Sequence, residues 1–245
     1  MFQTIIRKVG NSSKAKVKRQ KVNLVQMQRL TFETNGFENL ENVVDEQTIS
    51  RLIEDLSQLK VNQRNKGIYG VRNLLNLSLK VRKFSESSTV REIAEKILGK
   101  AAKVVRAIYF DKTPNANWKV PWHQDLTISV REKIETTGFT AWSVKENIHH
   151  VQPPIPILER MLTLRFHLDD ADESNGALKV LPKTHKFGRL SATEIQNLKS
   201  KQSVSLCKAK KGDCLLMKPL LVHSSSSGTI PKNRRIIHLE FSADD

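Results

Sequence analysis

From about residue 103 onward the chain runs as a succession of short β-type segments with no long helix between them, which sharply limits its folds. Residues 104–111, 120–130, 161–169, 177–181, 203–208, 213–217 and 234–241 are rich in β-branched and apolar residues, with Asn175-Gly176, Lys211-Gly212-Asp213 and Gly228 as breaks. Such a run predicts an antiparallel sandwich or barrel rather than alternating β and α units. Residues 131–160 interrupt it with Thr136-Thr137-Gly138, His149-His150 and a Pro-rich stretch to Pro156. A segment of that length without clear periodicity reads as a binding loop or lid.

The portion before residue 103 is helical in pattern. Asp45 precedes Ile49, Leu52, Ile53, Leu56 and Leu59, which share one helical stripe behind an N-cap. Thr89-Val90-Arg91-Glu92 reads as a capping box, and Gly99 as the stop of the helix it opens. Asn35-Gly36 marks a turn. These elements carry no chemistry and read as scaffold for the β portion. The expected organisation is thus a tail over 1–29 and one domain over 30–245. Its helical part spans about 45–100, its β core about 103–242.

Charge is uneven. The 245-residue chain has a formal net charge of +16. Half of it lies in residues 1–29, where Arg7, Lys8, Lys14, Lys16, Lys18, Arg19, Lys21 and Arg29 meet no acidic residue. A like-charge run of this kind reads first as a solvated extension. Contact with nucleic acid or an anionic surface, or an organellar transit peptide, are the other readings. Phe2 is the only aromatic residue of the segment, so it offers no base-stacking platform. No apolar run reaches the ~18 residues of a membrane span. Two cysteines, Cys207 and Cys214, are too few for a disulfide framework. A reducing, cytoplasmic setting is the expectation.

The chemistry centres on His123-Gln124-Asp125. In extended backbone, alternate side chains share a face, so His123 and Asp125 point together while Gln124 points away. With His223 from a distant strand they make a two-His-one-carboxylate set, which suits non-haem Fe(II) and leaves coordination positions open. In the last strand Arg234, Ile236, His238 and Glu240 share one face, and Arg235, Ile237, Leu239 and Phe241 the other. The second set is apolar beyond Arg235, so Arg234 heads the face that looks into a polar cavity. There its planar fork can hold a carboxylate bidentately.

Other histidines fit a metal less well. His167-Leu168-Asp169 is a second triplet of the same form, but it runs into the acidic turn at Asp170, Asp172 and Glu173. Adjacent His149 and His150 face opposite ways in extended chain. His185 reads as closing a turn, and His238 as lining the pocket without binding iron. Trp118 and Trp122 flank the metal strand and read as core, with a substrate shelf as an alternative for Trp122.

Residues 117–125 (NWKVPWHQD), 175–185 (NGALKVLPKTH) and 212–217 (GDCLLM), followed by His223-Ser224-Ser225 and Arg234, occur in that order. In these motifs the chain resembles the phytanoyl-CoA dioxygenase family of Fe(II)/2-oxoglutarate oxygenases, over roughly residues 32–241. The resemblance implies an α+β, mostly β protein with a double-stranded β-helix (jelly-roll, cupin-like) core and an N-terminal helical scaffold. It implies iron held by His123, Asp125 and His223, and 2-oxoglutarate and O2 as co-substrates. Arg234, helped by Ser225, would meet the distal carboxylate, with Lys112 and Ile108 lining the pocket. Arg165 stands where many relatives have an aromatic residue, which leaves open whether it touches co-substrate or substrate. Halogenases of the family replace the metal carboxylate by a small residue, so Asp125 favours hydroxylation or a related oxidation.

The resulting expectation is a dioxygenase acting on a lipid-like or secondary-metabolite small molecule with release of succinate and CO2. Lys133, Lys145 and Arg165, near the lid, read first as surface charge, with an anionic group on the substrate as the other reading. The alternative is a non-catalytic metal-binding module, associated with nucleic acid through residues 1–29. A third reading is an oxygenase whose nucleic-acid or protein substrate is recruited electrostatically.

Overall fold

The computed structural model describes residues 30–61, 70–230 and 232–243. The basic segment 1–29 lies outside the described residues. Two antiparallel sheets form the core. The larger has six strands in the order β1 (Phe37–Leu40), β11 (Cys214–Met217), β8 (Met161–His167), β13 (Arg234–Ser242), β3 (Lys103–Lys112) and β2 (Gly70–Val71). The smaller has four, β10 (Ser205–Cys207), β9 (Leu178–Val180), β12 (His223–Ser225) and β4 (Val120–His123). This is the expected jelly-roll arrangement, with sequence-distant strands as spatial neighbours.

Alternation along the central strands divides the large sheet into two chemically different faces. Ile237, Leu239 and Phe241 of β13, Leu162, Leu164 and Phe166 of β8, and Ala107 and Tyr109 of β3 pack into one apolar cluster. That cluster includes Ile49, Leu52 and Leu56 of α1 (Glu46–Val61), Val81 and Phe84 of α3 (Leu79–Ser85), and Val90 and Ala94 of α4 (Ser88–Leu98). The helical scaffold therefore covers the outer face, and the alternate residues of the same strands turn inward. Part of the inner space is closed by apolar contact between the sheets, where Leu215 and Met217 meet Leu178, Val180 and Cys207. Both cysteines are free and buried, and burial pushes the Cys207 thiol up to about 12.

Local signals account for most boundaries. Asp45 caps α1 as expected, accepting from the Thr48 amide at 2.8 Å. Gly36 turns with φ 85°, and its carbonyl accepts from the Lys218 amide at 2.9 Å, tying the turn to the end of β11. Helix α4 departs from the expected capping box. It begins at Ser88, and Ser87 rather than Thr89 supplies the cap, accepting from the Val90 amide. The short α2 (Leu74–Leu77), α3 and α6 (Ala192–Lys201) were not anticipated. For α6 the signal was present, because Ser191 and Glu194 form a full capping box.

Two β expectations need correction. The stretch 120–130 is not one strand: β4 ends at His123, residues 124–127 turn, and β5 (Ile128–Val130) joins a different sheet. The break follows from the Asp125 amide, which donates to the Pro219 carbonyl at 2.9 Å and pulls the chain out of the ladder. The segment 131–160 is also more regular than its sequence suggests. It contains β6 (Thr140–Lys145), β7 (Ile148–Gln152) and α5 (Ile155–Glu159), and β5, β7 and β6 form a three-stranded sheet. Ala141, Glu146 and Asn147 all have positive φ, and the register between β6 and β7 shifts between Thr140 and Ser143. These irregularities erase the two-residue period on which strand recognition depends.

Asp213 is a buried carboxylate that organises the edge of the large sheet. It accepts from Asn39 Nδ2 at 3.1 Å, the Asn42 amide at 3.0 Å and the Lys210 amide at 2.8 Å. Asp213→Ala should lower stability by about 3 kcal/mol, since it strands these donors. Asp213→Asn, which keeps one acceptor, should cost less. Urea unfolding followed by circular dichroism measures both.

Candidate active site

The small sheet sets two histidines side by side. In the β12–β4 ladder His223 pairs directly with His123, and their rings lie 4.2 Å apart between centroids. Each Nδ1 lies 2.8 Å from a backbone carbonyl, Pro121 for His123 and Leu221 for His223. A carbonyl only accepts, so the proton sits on Nδ1 and the Nε2 lone pair is left free. Both Nε2 atoms face Asp125, at 3.7 Å from Oδ1 for His123 and 3.7 Å from Oδ2 for His223. One donor atom from each residue falls within 4.8 Å of the others, a spacing that one metal ion can bridge. Neutral nitrogen plus carboxylate donors, with the second nitrogens hydrogen-bonded, is the chemistry of a divalent transition-metal site.

Electrostatics agrees with that geometry. Burial pushes the His223 imidazole down to about 4, only partly offset by Asp125, so it is neutral and ready to ligate. Burial opposes the charge on Asp125, yet its polar surroundings, the Arg165 guanidinium among them, hold the carboxyl below the usual carboxylate range. Gln124 points away from the metal-facing pair, as alternation requires. Its Nε2 donates to the Gly188 and Leu220 carbonyls at 2.8 and 2.7 Å, and its Oε1 accepts from the Leu190 amide at 2.8 Å. This middle residue of the triplet thus clamps the ligand strand to two neighbouring turns, a role its sequence position alone did not reveal.

A cavity of about 470 Å³ opens from these residues, within the size range of small-molecule sites. Asp125, His123, His223, Ser225, Ile108, Arg165 and Arg234 line it, and so do Phe110, Trp118, His238, Glu240, Arg106, Arg72 and Lys145. Lys112 lies just behind this wall, 2% exposed, donating to Ser225 Oγ at 2.7 Å and to the Ser226 carbonyl. Arg234 is 3% exposed; its Nη1 donates to the Gly176 carbonyl at 2.7 Å, and its Nε has no partner. Ser225 Oγ donates to the same carbonyl at 2.8 Å. Burial, then Arg165, lowers the Arg234 guanidinium to about 9; burial, then Arg234 and Arg165, lowers the Lys112 ammonium to about 7. Two buried cations held against each other call for an anion between them.

All eight expected site residues therefore gather around one cavity. The decoys fall elsewhere. Asp169 is occupied by Arg235, accepting from its amide, Nε and Nη2 at 2.9, 2.8 and 2.6 Å. His167 is buried without a ring partner and joins no metal-sized cluster among the described residues. Trp122 packs with Leu181, Ile195 and Val222 as core, and Lys133 engages Glu135 at 2.7 Å away from the cavity. Sequence reasoning passed over Arg106 and Arg72, whose positions depend on strand register and on the approach of the β5–β7–β6 sheet.

A family model, phytanoyl-CoA dioxygenase, matches residues 32–236. The chain belongs to the phytanoyl-CoA dioxygenase family. The match spans both sheets up to the start of β13 and includes every residue of the candidate metal site. Solved structures agree on the fold. AviO1 from Streptomyces viridochromogenes Tue57 is 20% identical with a TM-score of 0.66, over 89% of this chain and 94% of that one. EctD from S. alaskensis, solved with 2-oxoglutarate and 5-hydroxyectoine, is 16% identical with a TM-score of 0.69, over 88% and 75%. The epimerase SnoN, in complex with Fe3+, alpha ketoglutarate and nogalamycin RO, is 13% identical with a TM-score of 0.68, over 90% and 84%. No curated protein sequence matches the chain. No helix among the described residues is long and apolar enough to cross a membrane.

Gly176 is the hinge of the cationic end. It has φ +77°, and a Cβ there would fall 2.3 Å from the Ser226 carbonyl oxygen and 2.8 Å from Lys112 Nζ. Gly176→Ala should destabilise the fold by about 1–3 kcal/mol through the left-handed backbone and this clash. Differential scanning calorimetry of wild type and variant checks it.

Proposed function

We propose that the protein is an Fe(II)- and 2-oxoglutarate-dependent oxygenase that hydroxylates a small-molecule substrate. The observation that carries the reading is the polarity of one cavity. At one end two free imidazole Nε2 atoms and a carboxylate converge, and at the other Arg234 and Lys112 share a deficit of negative charge. His123, Asp125 and His223 would hold the iron in a set that leaves further positions open. Bound there, Fe(II) supplies oxygen activation coupled to decarboxylation of 2-oxoglutarate, so that R–H, O2 and 2-oxoglutarate become R–OH, succinate and CO2.

The protein's own contribution is placement. Arg234 would take the distal carboxylate of 2-oxoglutarate, with its unpartnered Nε as the additional donor, and Ser225 beside it. Lys112 adds charge from behind and fixes the Ser225 hydroxyl. The hydrogen bonds from His123 Nδ1 and His223 Nδ1 keep both rings in the ligating tautomer. Asp125 supports hydroxylation over halogenation, because its carboxylate would serve as a ligand where a halide would otherwise have to bind. Family membership supports the same class, and so do the similar structures of EctD with 2-oxoglutarate and of SnoN with Fe3+ and alpha ketoglutarate.

The purified full-length chain with Fe(II), 2-oxoglutarate and O2 should form succinate slowly even without substrate. His223→Ala and Asp125→Ala should abolish it, and unchanged turnover in either would sink the assignment. Arg234→Leu should raise the KM for 2-oxoglutarate by about a hundredfold, the cost of removing one partner of a buried charge pair.

Lys112 gives a pH test. Its folded ammonium ionises near 7 against an ordinary 10.5, so the unfolded chain holds more protons across that window and the free protein gains stability as pH rises through it. A bound dicarboxylate favours the charged form. Affinity for 2-oxoglutarate should therefore fall roughly tenfold between about pH 6 and pH 8, and Lys112→Met should flatten the slope. Anaerobic calorimetric titration at several pH values reads it.

A further inference from the structure

We propose that the substrate carries an anionic group, and that Arg165, with Arg72 and Lys145 at the cavity rim, recognises it. The proposal rests on the oxygenase reading above, with 2-oxoglutarate at Arg234, and adds the chemical class of the second ligand.

The argument begins with charge. Five cationic side chains line the cavity, Arg72, Arg106, Lys145, Arg165 and Arg234, against two carboxylates, Asp125 and Glu240. Asp125 faces the metal position. Glu240 is also committed, because it accepts from Arg106 Nη1 at 3.2 Å and lies 3.2 Å from His238 Nε2. The His238 contact has a definite direction. Arg165 Nη1 lies 3.0 Å from His238 Nδ1 and can only donate, so Nδ1 accepts and Nε2–H donates to Glu240. Arg165 is thus hydrogen-bonded to an imidazole and makes no ion pair with a carboxylate among the described residues, Asp125 acting on it only through space. It is 6% exposed, its Nε is buried without a hydrogen-bond partner, and its guanidinium carbon stands 5.7 Å from the Phe110 ring centroid. A buried guanidinium beside an aromatic ring on a cavity wall is suited to bind a carboxylate or phosphate.

Register offsets the backbone of Arg165 from that of Arg234, although the two guanidiniums stay within electrostatic reach of each other. Arg234 pairs with Lys112, whereas Arg165 pairs with His238, four residues further along the same strand β13. That is roughly 13 Å of strand. Arg106 pairs with Glu240, two residues beyond His238 in the same direction. Arg165 therefore stands between the 2-oxoglutarate end and the rim. At the rim, Arg106, Arg72 and Lys145 line the same cavity. Arg72 meets Glu146 at 3.3 Å, but both side chains are well exposed, so a ligand can displace that pair at little cost. With one dicarboxylate at Arg234, Arg106 has Glu240 and Arg72 has Glu146, but Lys145 and Arg165 make no ion pair among the described residues. An anionic substrate compensates them.

The test uses the full-length protein under argon, loaded with Fe(II) and saturated with 2-oxoglutarate so that no turnover occurs. It is titrated calorimetrically with hexanoate, hexyl phosphate and 1-hexanol. Either anion should bind roughly tenfold or more tightly than hexanol, and which anion wins assigns carboxylate or phosphate. Arg165→Met, close in length and uncharged, should remove that preference while weakening 2-oxoglutarate by clearly less than Arg234→Met does. The exposed-rim variants Arg72→Ala and Lys145→Ala should each weaken the anions by about twofold to fivefold, independently of how well Arg165→Met folds. Equal binding of hexanol and the anions to wild type would overturn the proposal. So would a loss of 2-oxoglutarate affinity in Arg165→Met matching that in Arg234→Met, which would assign Arg165 to the co-substrate. Wild type that fails to bind 2-oxoglutarate at all would instead defeat the oxygenase reading beneath it.

Discussion

The pairing of β13 between β3 and β8 is the constraint on which the rest of this structure depends. Nine residues of one strand bond to β3 and seven to β8, and the period of two along that strand decides what lies outside and what lies inside. Ile237, Leu239 and Phe241 seal the helical scaffold against the outer face, and Arg234, His238 and Glu240 are carried inward by the same register. A slip of one residue would bury the charged set under the helices and expose the apolar set to the cavity. The large apolar cluster on the scaffold side therefore does more than stabilise the fold, because it fixes the direction of every charged side chain in the site.

The small sheet contributes a different kind of order. Its strands are short, and β12 has only three residues. Accuracy there comes from side-chain and turn contacts rather than ladder length. Gln124 binds three backbone groups, and Asn117 exchanges hydrogen bonds of 2.8 and 2.6 Å with Gly228. The Asp125 amide is held by the Pro219 carbonyl. Together they carry His123 and Asp125 to His223 across nearly one hundred residues of sequence. Charge then follows from position. Carboxylate and imidazoles meet at one end, and cations stand in surplus over the remainder.

The parts of the molecule legible in the sequence are those where one local rule acts unopposed. Alternation in residues 234–241 separated cavity from core, and the candidate metal triplet stood out because an imidazole and a carboxylate shared one face. Asp45 and Gly99 marked helix ends because capping is a property of a few neighbouring residues. The departures occur where tertiary contacts override the local pattern. The turn after His123 is dictated by Pro219, far away in sequence. The sheet formed by β5, β7 and β6 is hidden by positive-φ residues and a register shift. Arg106 looked like any basic residue near a strand start; only its pairing with Glu240 puts it in the cavity. The order of motifs was informative in another way, since it pointed to the family before any contact was known.

The central claim is that one cavity holds iron at one end and a dicarboxylate at the other. A crystal structure of the full-length protein grown without oxygen, with Fe(II) and 2-oxoglutarate, tests it most directly when anomalous data are collected at the iron edge. The account predicts one strong anomalous peak bonded to His123 Nε2, His223 Nε2 and the Asp125 carboxylate, with the far carboxylate of 2-oxoglutarate against Arg234. Iron bound instead at His167 and Asp169, or a dicarboxylate seated away from Arg234, would contradict it.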